Sequence, residues 1–193
     1  MNDHWRVFIG VLLPHPTRTA LVAVQHELRG HDLAVRWTKA ENLHITLHFL
    51  GDVALDAVTV LHAYLAAHLP KHYAPTLTCN TLGAFPNQRQ PRVLWAGTGD
   101  DGTLQRLHTV AVAAGQIVGV PTEKRPYHPH ITLGYVRDYA TPPQRAACGA
   151  ALQNTIWNGD IARPYPTIAL IRSILGRDGA TYAVLSCYEL GGG

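Results

Sequence analysis

A four-residue word, His44-Ile-Thr-Leu47, recurs letter for letter as His130-Ile-Thr-Leu133. In both copies polar and apolar side chains alternate, as they do in a β-strand with one face in the core. A period of two turns the histidine and the threonine to one face, with their Cα atoms about 6 to 7 Å apart, and turns the isoleucine and the leucine into the core. The chain is therefore expected to contain two strands that each present an imidazole beside a hydroxyl.

The alternation continues beyond the first copy, as far as Leu50. A strict period of two places Phe49 on the core face and places His48 on the same face as His44. Among the tryptophans, Trp37 and Trp95 are expected in the core because of their large apolar area.

The rest of the chain alternates between strand-like and helix-like patterns. Apolar runs bounded by turn residues predict strands over residues 6–13, 33–37, 43–50, 75–85, 92–97, 127–136, 167–175 and 181–190, the last two joined as a hairpin around 176–179. Helical spacing of apolar residues predicts helices from Thr17 to about Gly30 and over 55–69, 104–118 and 143–152. No low-complexity linker interrupts these elements, so one domain over residues 1–193 is expected.

Composition and charge exclude several classes of protein. The 193 residues are 47% hydrophobic, which is enough for a sizeable core. The formal net charge of +3 is too small for a protein that binds nucleic acid or membranes in bulk, so an anion must be bound locally. Three cysteines without a CxxC spacing favour a reducing cytoplasm over a disulfide framework or a thiolate metal site. No apolar stretch approaches the roughly twenty residues that cross a bilayer, and the start lacks the pattern of a signal peptide.

The two motif strands, brought together, would suit a phosphodiester. One imidazole can accept a proton from water while the other donates a proton to a leaving oxygen. Neutral hydroxyls can donate hydrogen bonds to the charged non-bridging oxygens. His44 and His130 are therefore the candidate catalytic residues, Thr46 and Thr132 are the candidate phosphate-binding residues, and the chemistry needs neither a metal nor another cofactor.

In these motifs the chain resembles the two-histidine (2H) phosphoesterase superfamily, and in particular the LigT-like RNA 2',3'-cyclic phosphodiesterases, also described as 2'-5' RNA ligases. Supporting segments are Arg6-Val-Phe-Ile9, Pro91-Arg-Val-Leu-Trp-Ala-Gly97 and Ser173-Ile-Leu-Gly-Arg-Asp-Gly-Ala-Thr-Tyr182. The resemblance implies a bilobal α+β fold with two antiparallel sheets related by a pseudo-twofold axis. It also implies helices on the outer faces and a central cleft that holds both motifs.

The resemblance further implies roles for the motif residues. His130 is the expected base for the attacking water, and His44 is the expected acid that protonates the departing 3' oxygen, so that a 2'-phosphate remains. Thr46 and Thr132 would hold the phosphate, and Phe8 is a candidate substrate contact. The implied substrates are RNA ends or nucleotides that carry a 2',3'-cyclic phosphate, and reversible 2'-5' RNA ligation is a further implied activity. No cofactor, membrane or obligate protein partner is implied.

The sequence departs from the common LigT-like pattern immediately after the second motif. Many relatives have Ala-Arg there, whereas this chain has Gly134-Tyr135. Tyr135 is therefore a candidate for stacking on a base. The missing positive charge has three candidate sources, Arg125, Arg137 and Arg92.

Two other functions remain open on the residues alone. His128-x-His130 with a third histidine is a known pattern for catalytic zinc, so a metal-dependent hydrolase is one alternative. His44 and His48, predicted to share a strand face roughly 13 Å apart, are too distant for one ion, and the chain has no HExxH. The other alternative is a non-catalytic module that binds nucleotides or RNA ends. Activity that survives a chelator would exclude the first alternative.

Overall fold

The computed structural model describes residues 3–99, 102–123, 125–159, 162–176 and 179–191. Within these residues the chain forms strands β1 (His4–Leu12), β2 (Val35–Trp37), β3 (His44–Ala54), β4 (Thr76–Phe85), β5 (Val93–Gly99), β6 (His130–Val136), β7 (Arg163–Pro164), β8 (Thr167–Gly176) and β9 (Gly179–Glu189). The helices are α1 (His15–Arg29), α2 (Leu55–His68), α3 (Thr103–Ile117) and α4 (Pro142–Asn154). None of these helices is both long and apolar enough to cross a membrane.

The strands form two antiparallel halves, with four strands of the main path on either side of a central join. Their order is β7-β4-β5-β6-β3-β1-β8-β9, and β2 pairs with β6 off this path. One backbone bridge, Ile45 to Ile131, connects β3 to β6 at the join. The α+β architecture with two related antiparallel halves is therefore as predicted, and the structure adds that the two halves are continuous through this bridge.

Local sequence explains where helices α1 and α4 begin. Helix α1 starts at His15, two residues before its predicted start at Thr17, because Pro16 fits the first turn, where a backbone N–H has no helical partner. Helix α4 starts with a capping box, in which the Thr141 hydroxyl accepts a hydrogen bond from the Gln144 N–H and the Gln144 side chain accepts one from the Thr141 N–H. Both helices therefore start within two residues of their predicted first residue.

The core holds the motif strands from one side. Val7, Ile9 and Val11 of β1 are completely buried. The motif isoleucines, Ile45 and Ile131, are buried in the same cluster, which draws residues from both halves of the sheet. Burial of each such side chain contributes about 1.5 to 3 kcal/mol. The apolar face of each motif is thereby fixed in the core, and the histidines and threonines face the other way.

Both motifs contain a β-bulge at their leucine. Between β1 and β3 the register shifts so that Leu47 is the extra residue, and between β5 and β6 it shifts so that Leu133 is the extra residue. A bulge places two consecutive side chains on the same side and reverses the alternation that follows. The two motif strands therefore share an irregularity as well as a sequence.

The first bulge overturns two expectations about β3. His48 is only 4% exposed and packs in the core, whereas Phe49 is 40% exposed on the face of the motif histidine. The expected faces of both residues were wrong because a period of two holds only in an unbulged strand. Helix α3 accommodates His48 at Gly115, where a Cβ would lie 2.8 Å from the imidazole Nε2.

Candidate active site

The two motifs lie side by side at the join between the halves of the sheet. In the antiparallel register of the Ile45–Ile131 bridge, the next residues along place His44 across from Thr132 and Thr46 across from His130. Each imidazole therefore has a hydroxyl within its own motif and another on the neighbouring strand. The structure brings together all four side chains that the sequence predicts as catalytic or phosphate-binding.

A cavity of about 630 Å³ opens over this arrangement. Its walls come from β1, β2, β3, β6, β8 and β9, and we call it the motif cavity. Among the described lining residues are three cations and no carboxylate; the cations are Arg6, Arg36 and Lys39. His44, Thr46 and Thr132 line the cavity, whereas His130 is not part of its lining. The balance of charge favours an anionic ligand.

Hydrogen bonds fix the ring of His44. Its Nδ1–H donates to the carbonyl oxygen of Asn42 at 2.7 Å, so Nε2 carries no proton in the neutral ring. That Nε2 accepts a hydrogen bond from the Thr46 hydroxyl at 3.0 Å. Asn42 is itself held in place, because its side-chain amide donates to the carbonyl of Ala180 in β9 at 2.9 Å.

Aromatic side chains shield His44 from water. The ring centroid of Phe8 lies 4.7 Å from that of His44, and the centroid of Tyr182 lies 5.2 Å away in an edge-on arrangement. Burial lowers the pKa of His44 from 6.5 to about 4; the hydrogen bond to Asn42 opposes this change, and the charge of His130 adds to it. His44 is therefore neutral at pH 7 in the free protein. The expectation that one imidazole is protonated near neutral pH thus does not apply to His44 before a ligand binds.

A glycine in β1 makes room for the His44 ring. A Cβ at Gly10 would lie 3.0 Å from the carbonyl oxygen of Ile45 and 3.4 Å from Cδ2 of His44. Since both contacts are tight, a larger residue at this position would press on the motif strand and on the ring of His44.

His130 has the same backbone anchor as His44. Its Nδ1–H donates to the carbonyl oxygen of His128 at 2.7 Å, which again leaves Nε2 without a proton in the neutral ring. Phe85 meets the ring edge-on at 4.9 Å, and Trp95 lies 6.4 Å away. Burial lowers the pKa of His130, and the hydrogen bond to His128 partly opposes it. Trp95, expected simply in the core, thus flanks the second catalytic candidate.

Two equivalent arginine–aromatic stacks flank the motifs. Phe49 and Tyr135 each lie two residues beyond a bulged leucine and line the motif cavity. The guanidinium of Arg6 lies 4.6 Å from the Phe49 ring centroid, and that of Arg36 lies 5.0 Å from the Tyr135 centroid. The sequence carried a signal for this symmetry, because the repeat extends as an aromatic and then an aliphatic residue over 44–50 and 130–136.

The remaining residues predicted to contact substrate lie in different places relative to the motif cavity. Phe8 lines the motif cavity but is only 3% exposed, so it supports His44 more than it meets a ligand. Arg125 is exposed in the segment before β6 and lines no described cavity. Arg92 and Arg137 line a different, neighbouring cavity. Trp37 packs against the core, as expected, and also lines the motif cavity.

Gly134 has a structural explanation. A Cβ at this position would lie 2.6 Å from a methyl group of Val35 and 3.2 Å from the backbone oxygen of Arg36, so the close approach of β2 requires glycine here. The next residue, Tyr135, pairs directly with Arg36 across β2 and β6. The positive charge missing after the second motif is thus present on the neighbouring strand. Sequence reasoning missed Arg36, because nothing in the chain marks β2 as the partner of β6.

Possible metal ligands do not converge in the described residues, where no group of three or more His, Cys, Asp and Glu side chains is placed to hold an ion. His48 lies on the opposite face of β3 from His44. The three cysteines are all free thiols; Cys79 and Cys148 are buried and Cys187 is exposed.

Comparison with known proteins gives matches over most of the chain. A family model described as LigT like Phosphoesterase matches residues 11–95. The chain is 32% identical over 174 residues to the RNA 2',3'-cyclic phosphodiesterase of Aeropyrum pernix, covering 88% of this chain and 93% of that protein. The crystal structure of TT0787 from Thermus thermophilus superposes with a TM-score of 0.78 at 28% identity, over 97% of this chain and 98% of that one. E. coli LigT complexed with 3'-AMP superposes with a TM-score of 0.75 at 25% identity, over 97% and 99%.

Proposed function

The chain belongs to the LigT-like phosphoesterase family, and on that premise we propose that it is an RNA 2',3'-cyclic phosphodiesterase that hydrolyses the cyclic phosphate to a 2'-phosphate. The observation that carries the proposal is the juxtaposition of two histidine–threonine pairs across the Ile45–Ile131 bridge. Two bases, two hydroxyl donors and a cationic cavity match what hydrolysis of a phosphodiester requires.

His130 is the proposed base and His44 the proposed acid. The Nε2 of His130 accepts a proton from water while the water oxygen forms a bond to phosphorus. The bond between phosphorus and the 3' oxygen then breaks, and Nε2–H of protonated His44 donates its proton to that oxygen. The product carries a phosphate on the 2' oxygen and a free 3' hydroxyl.

Binding of the substrate itself favours protonation of the proposed acid, His44. With a pKa of about 4, His44 is rarely protonated in the free protein at neutral pH. A cyclic phosphodiester carries one negative charge, and an anion close to Nε2 favours the charged imidazole and raises its pKa. Binding of the substrate therefore promotes protonation of the acid at the place where the proton is needed.

The Thr46 hydroxyl changes partner in the same step. In the neutral state it donates to Nε2 of His44. Once Nε2 is protonated it no longer accepts this bond, so Nε2–H is left for the departing 3' oxygen and the Thr46 hydroxyl is free to donate to a phosphate oxygen. Among the described residues, Thr132 makes no such bond to His130, so its hydroxyl is available without a proton transfer. Thr132 can therefore bind the phosphate in either protonation state of His44, whereas Thr46 can do so only once His44 is protonated.

Arg36 is the proposed substitute for the arginine that follows the second motif in many relatives. It lines the motif cavity and lies over Tyr135. Its planar guanidinium suits contact with a phosphate, and the tyrosine ring suits stacking with a base.

The two alternatives are less well supported. A zinc hydrolase of the His-x-His type needs a third ligand, and His48 points away from the motif cavity. A module that only binds RNA ends needs no unprotonated Nε2 on two neighbouring imidazoles, whereas both histidines have one here in the neutral ring. A cytoplasmic location and 2'-5' ligation stay predictions.

Product analysis tests the proposal. The protein is incubated with a short RNA that ends in a 2',3'-cyclic phosphate, with and without EDTA, beside the His44→Ala/His130→Ala double variant. We expect a 2'-phosphate product at the same rate in both conditions and no turnover by the variant. A 3'-phosphate would reverse the assignment of the departing oxygen, activity lost to EDTA and restored by zinc would favour the metal hydrolase, and binding without turnover would favour the binding module.

A further inference from the structure

A second cavity of about 390 Å³ adjoins the motif cavity. Arg36 and Tyr135 line both cavities, so the two spaces meet at this arginine–tyrosine stack. The other residues around the second cavity come from the start of β5, the end of β6 and the segment after β6; they are Arg92, Val93, Val136, Arg137, Asp138 and Tyr139.

The side chains of the second cavity suit a single-stranded nucleic acid. Three of them are arginines and two are tyrosines, against one carboxylate, that of Asp138. Tyr139 is 74% exposed, and the guanidinium of Arg137 lies 5.8 Å from its ring centroid. Exposed aromatic rings on which bases stack, combined with cations that follow a phosphate backbone, are the features by which proteins bind single strands with little sequence preference.

Backbone contacts hold the walls of the second cavity in place. The guanidinium of Arg145 in α4 donates to the carbonyl oxygens of Pro91, Arg137 and Asp138, at 3.1, 3.2 and 3.1 Å. One side chain thus joins the residue before Arg92 to the segment that carries Tyr139. The backbone of these walls is held by contacts within the protein, which reduces the entropy lost on binding.

The chemistry of the substrate indicates what the second cavity binds. A 2',3'-cyclic phosphate is formed on the terminal ribose, so the remainder of an RNA can leave the motif cavity only from the 5' side of that nucleotide. Along β6, residue 136 lies about 13 Å from Thr132, so a ligand that reaches both cavities must be longer than one phosphate and ribose. We propose that the second cavity binds the RNA strand on the 5' side of the cyclic phosphate, with the Arg36–Tyr135 stack between the terminal nucleotide and the preceding ones.

This inference rests on the proposed function, and it adds that the preferred substrate is an oligonucleotide. The experiment compares kcat/KM for a nucleoside 2',3'-cyclic monophosphate with kcat/KM for RNAs of two to five nucleotides that carry the same end. We expect the oligonucleotides to be hydrolysed at least tenfold more efficiently. Arg137→Ala and Tyr139→Ala should each remove most of that advantage and leave hydrolysis of the mononucleotide within twofold of wild type, because both residues line only the second cavity.

Arg89→Ala is the matched control, since Arg89 is an exposed arginine in the same half of the molecule that lines neither cavity. It should keep the full advantage of the oligonucleotide. The kcat/KM of the oligonucleotide should also fall more steeply with salt than that of the mononucleotide, and Arg92→Ala should reduce this slope.

Equal kcat/KM for the monomer and the oligonucleotides would overturn the inference, as would an equal loss on both substrates in the Arg137 and Tyr139 variants. Failure of the proposed function has a separate signature. If no substrate is hydrolysed, fluorescence anisotropy with 2'-phosphate-terminated RNAs still measures binding: affinity that rises with length and falls in Arg137→Ala supports the second cavity, and affinity independent of length rejects it.

Discussion

Ile45 and Ile131 form the bridge between β3 and β6, and the catalytic candidates lie one residue to either side of it. Within a motif, the distance from histidine to threonine is fixed by strand geometry. Between motifs, the distance depends on how the two halves of the sheet meet at this bridge. The relative placement of His44 and His130 is thus a property of the join and not of either motif.

Removal of either histidine should abolish one proton transfer. We expect His44→Ala and His130→Ala each to lower kcat by about 10² to 10⁴ with the fold intact. In pH–rate profiles, His130→Ala should lose the acidic limb and His44→Ala the basic limb. His26→Ala, at an exposed position of α1, is the control and should behave like wild type. Exchanged limbs would mean that acid and base are assigned the wrong way round.

The pH optimum should depend on whether substrate is bound. The profile of kcat/KM reports the free enzyme, where the pKa of His44 is about 4, whereas the profile of kcat reports the complex. Because a bound anion raises the pKa of a neighbouring imidazole, the basic limb of kcat should lie at higher pH than the basic limb of kcat/KM. Steady-state kinetics across pH 4 to 9 measure both. Coincident basic limbs would show that substrate binding does not raise the pKa of the acid.

The two threonines should differ in their effect on pH dependence. Thr46→Ala and Thr132→Ala should each weaken transition-state binding by about 1 to 3 kcal/mol, because each removes one donor to the phosphate. Within the described residues only Thr46 bonds to Nε2 of a motif histidine, so only Thr46→Ala should also move the basic limb. Thr46→Ser should restore the wild-type profile, since it keeps the hydroxyl. A basic limb that moves equally in both alanine variants would contradict the different roles proposed here.

Burial of His44 should make the protein sensitive to acid. Its pKa is about 4 in the folded protein, against about 6.5 for an exposed imidazole, so the unfolded chain binds more protons between these values. The free energy of unfolding should therefore fall as the pH falls from 6.5 to 4, by up to about 3 kcal/mol from this residue. Denaturant titrations should show a smaller loss in His44→Gln.

The loss should not vanish in that variant, because burial also lowers the pKa of His48, His108 and His130. His26→Gln serves as the control and should follow the wild-type curve. A His44→Gln protein that loses as much stability in acid as wild type would show that His44 is not the group responsible.

Gln25 should be a stabilising link between α1 and the second motif. Its side chain is 2% exposed, and its amide donates to the carbonyl oxygens of Leu133 at 2.7 Å and Thr38 at 2.8 Å. Gln25→Met keeps the approximate volume and removes both donors, so we expect a loss of about 1 to 3 kcal/mol in the free energy of unfolding. Gln105→Met, at an exposed position of α3, should change it little. Equal stability of the two variants would contradict this role.

The sequence was sufficient for the main helices and strands, because strand alternation and helical spacing are local properties. The repeated motif and the family resemblance were sufficient for the two-part architecture and for the placement of the two motifs side by side. The sequence was insufficient for Phe49 and His48, since a bulge depends on the partner strand and leaves no mark in a period of two. It was also insufficient for Arg36, whose place in the site follows from the pairing of β2 with β6. The placement of residues outside the motifs thus depends on long-range strand pairing, which the local sequence pattern does not reveal.

The bulges at Leu47 and Leu133 act on the side-chain pattern as a frameshift acts on a reading frame. Upstream of each bulge the strand carries a histidine and a threonine on one face, and downstream it carries an aromatic residue on that same face. Designers can therefore randomise Phe49 and Tyr135 to alter ligand preference while the proton-transfer groups keep their positions. Deletion of either leucine would remove the bulge and leave an uninterrupted alternation, with the aromatic ring still on the face of the histidine and the threonine, because the remaining residues keep their pairing with the neighbouring strand.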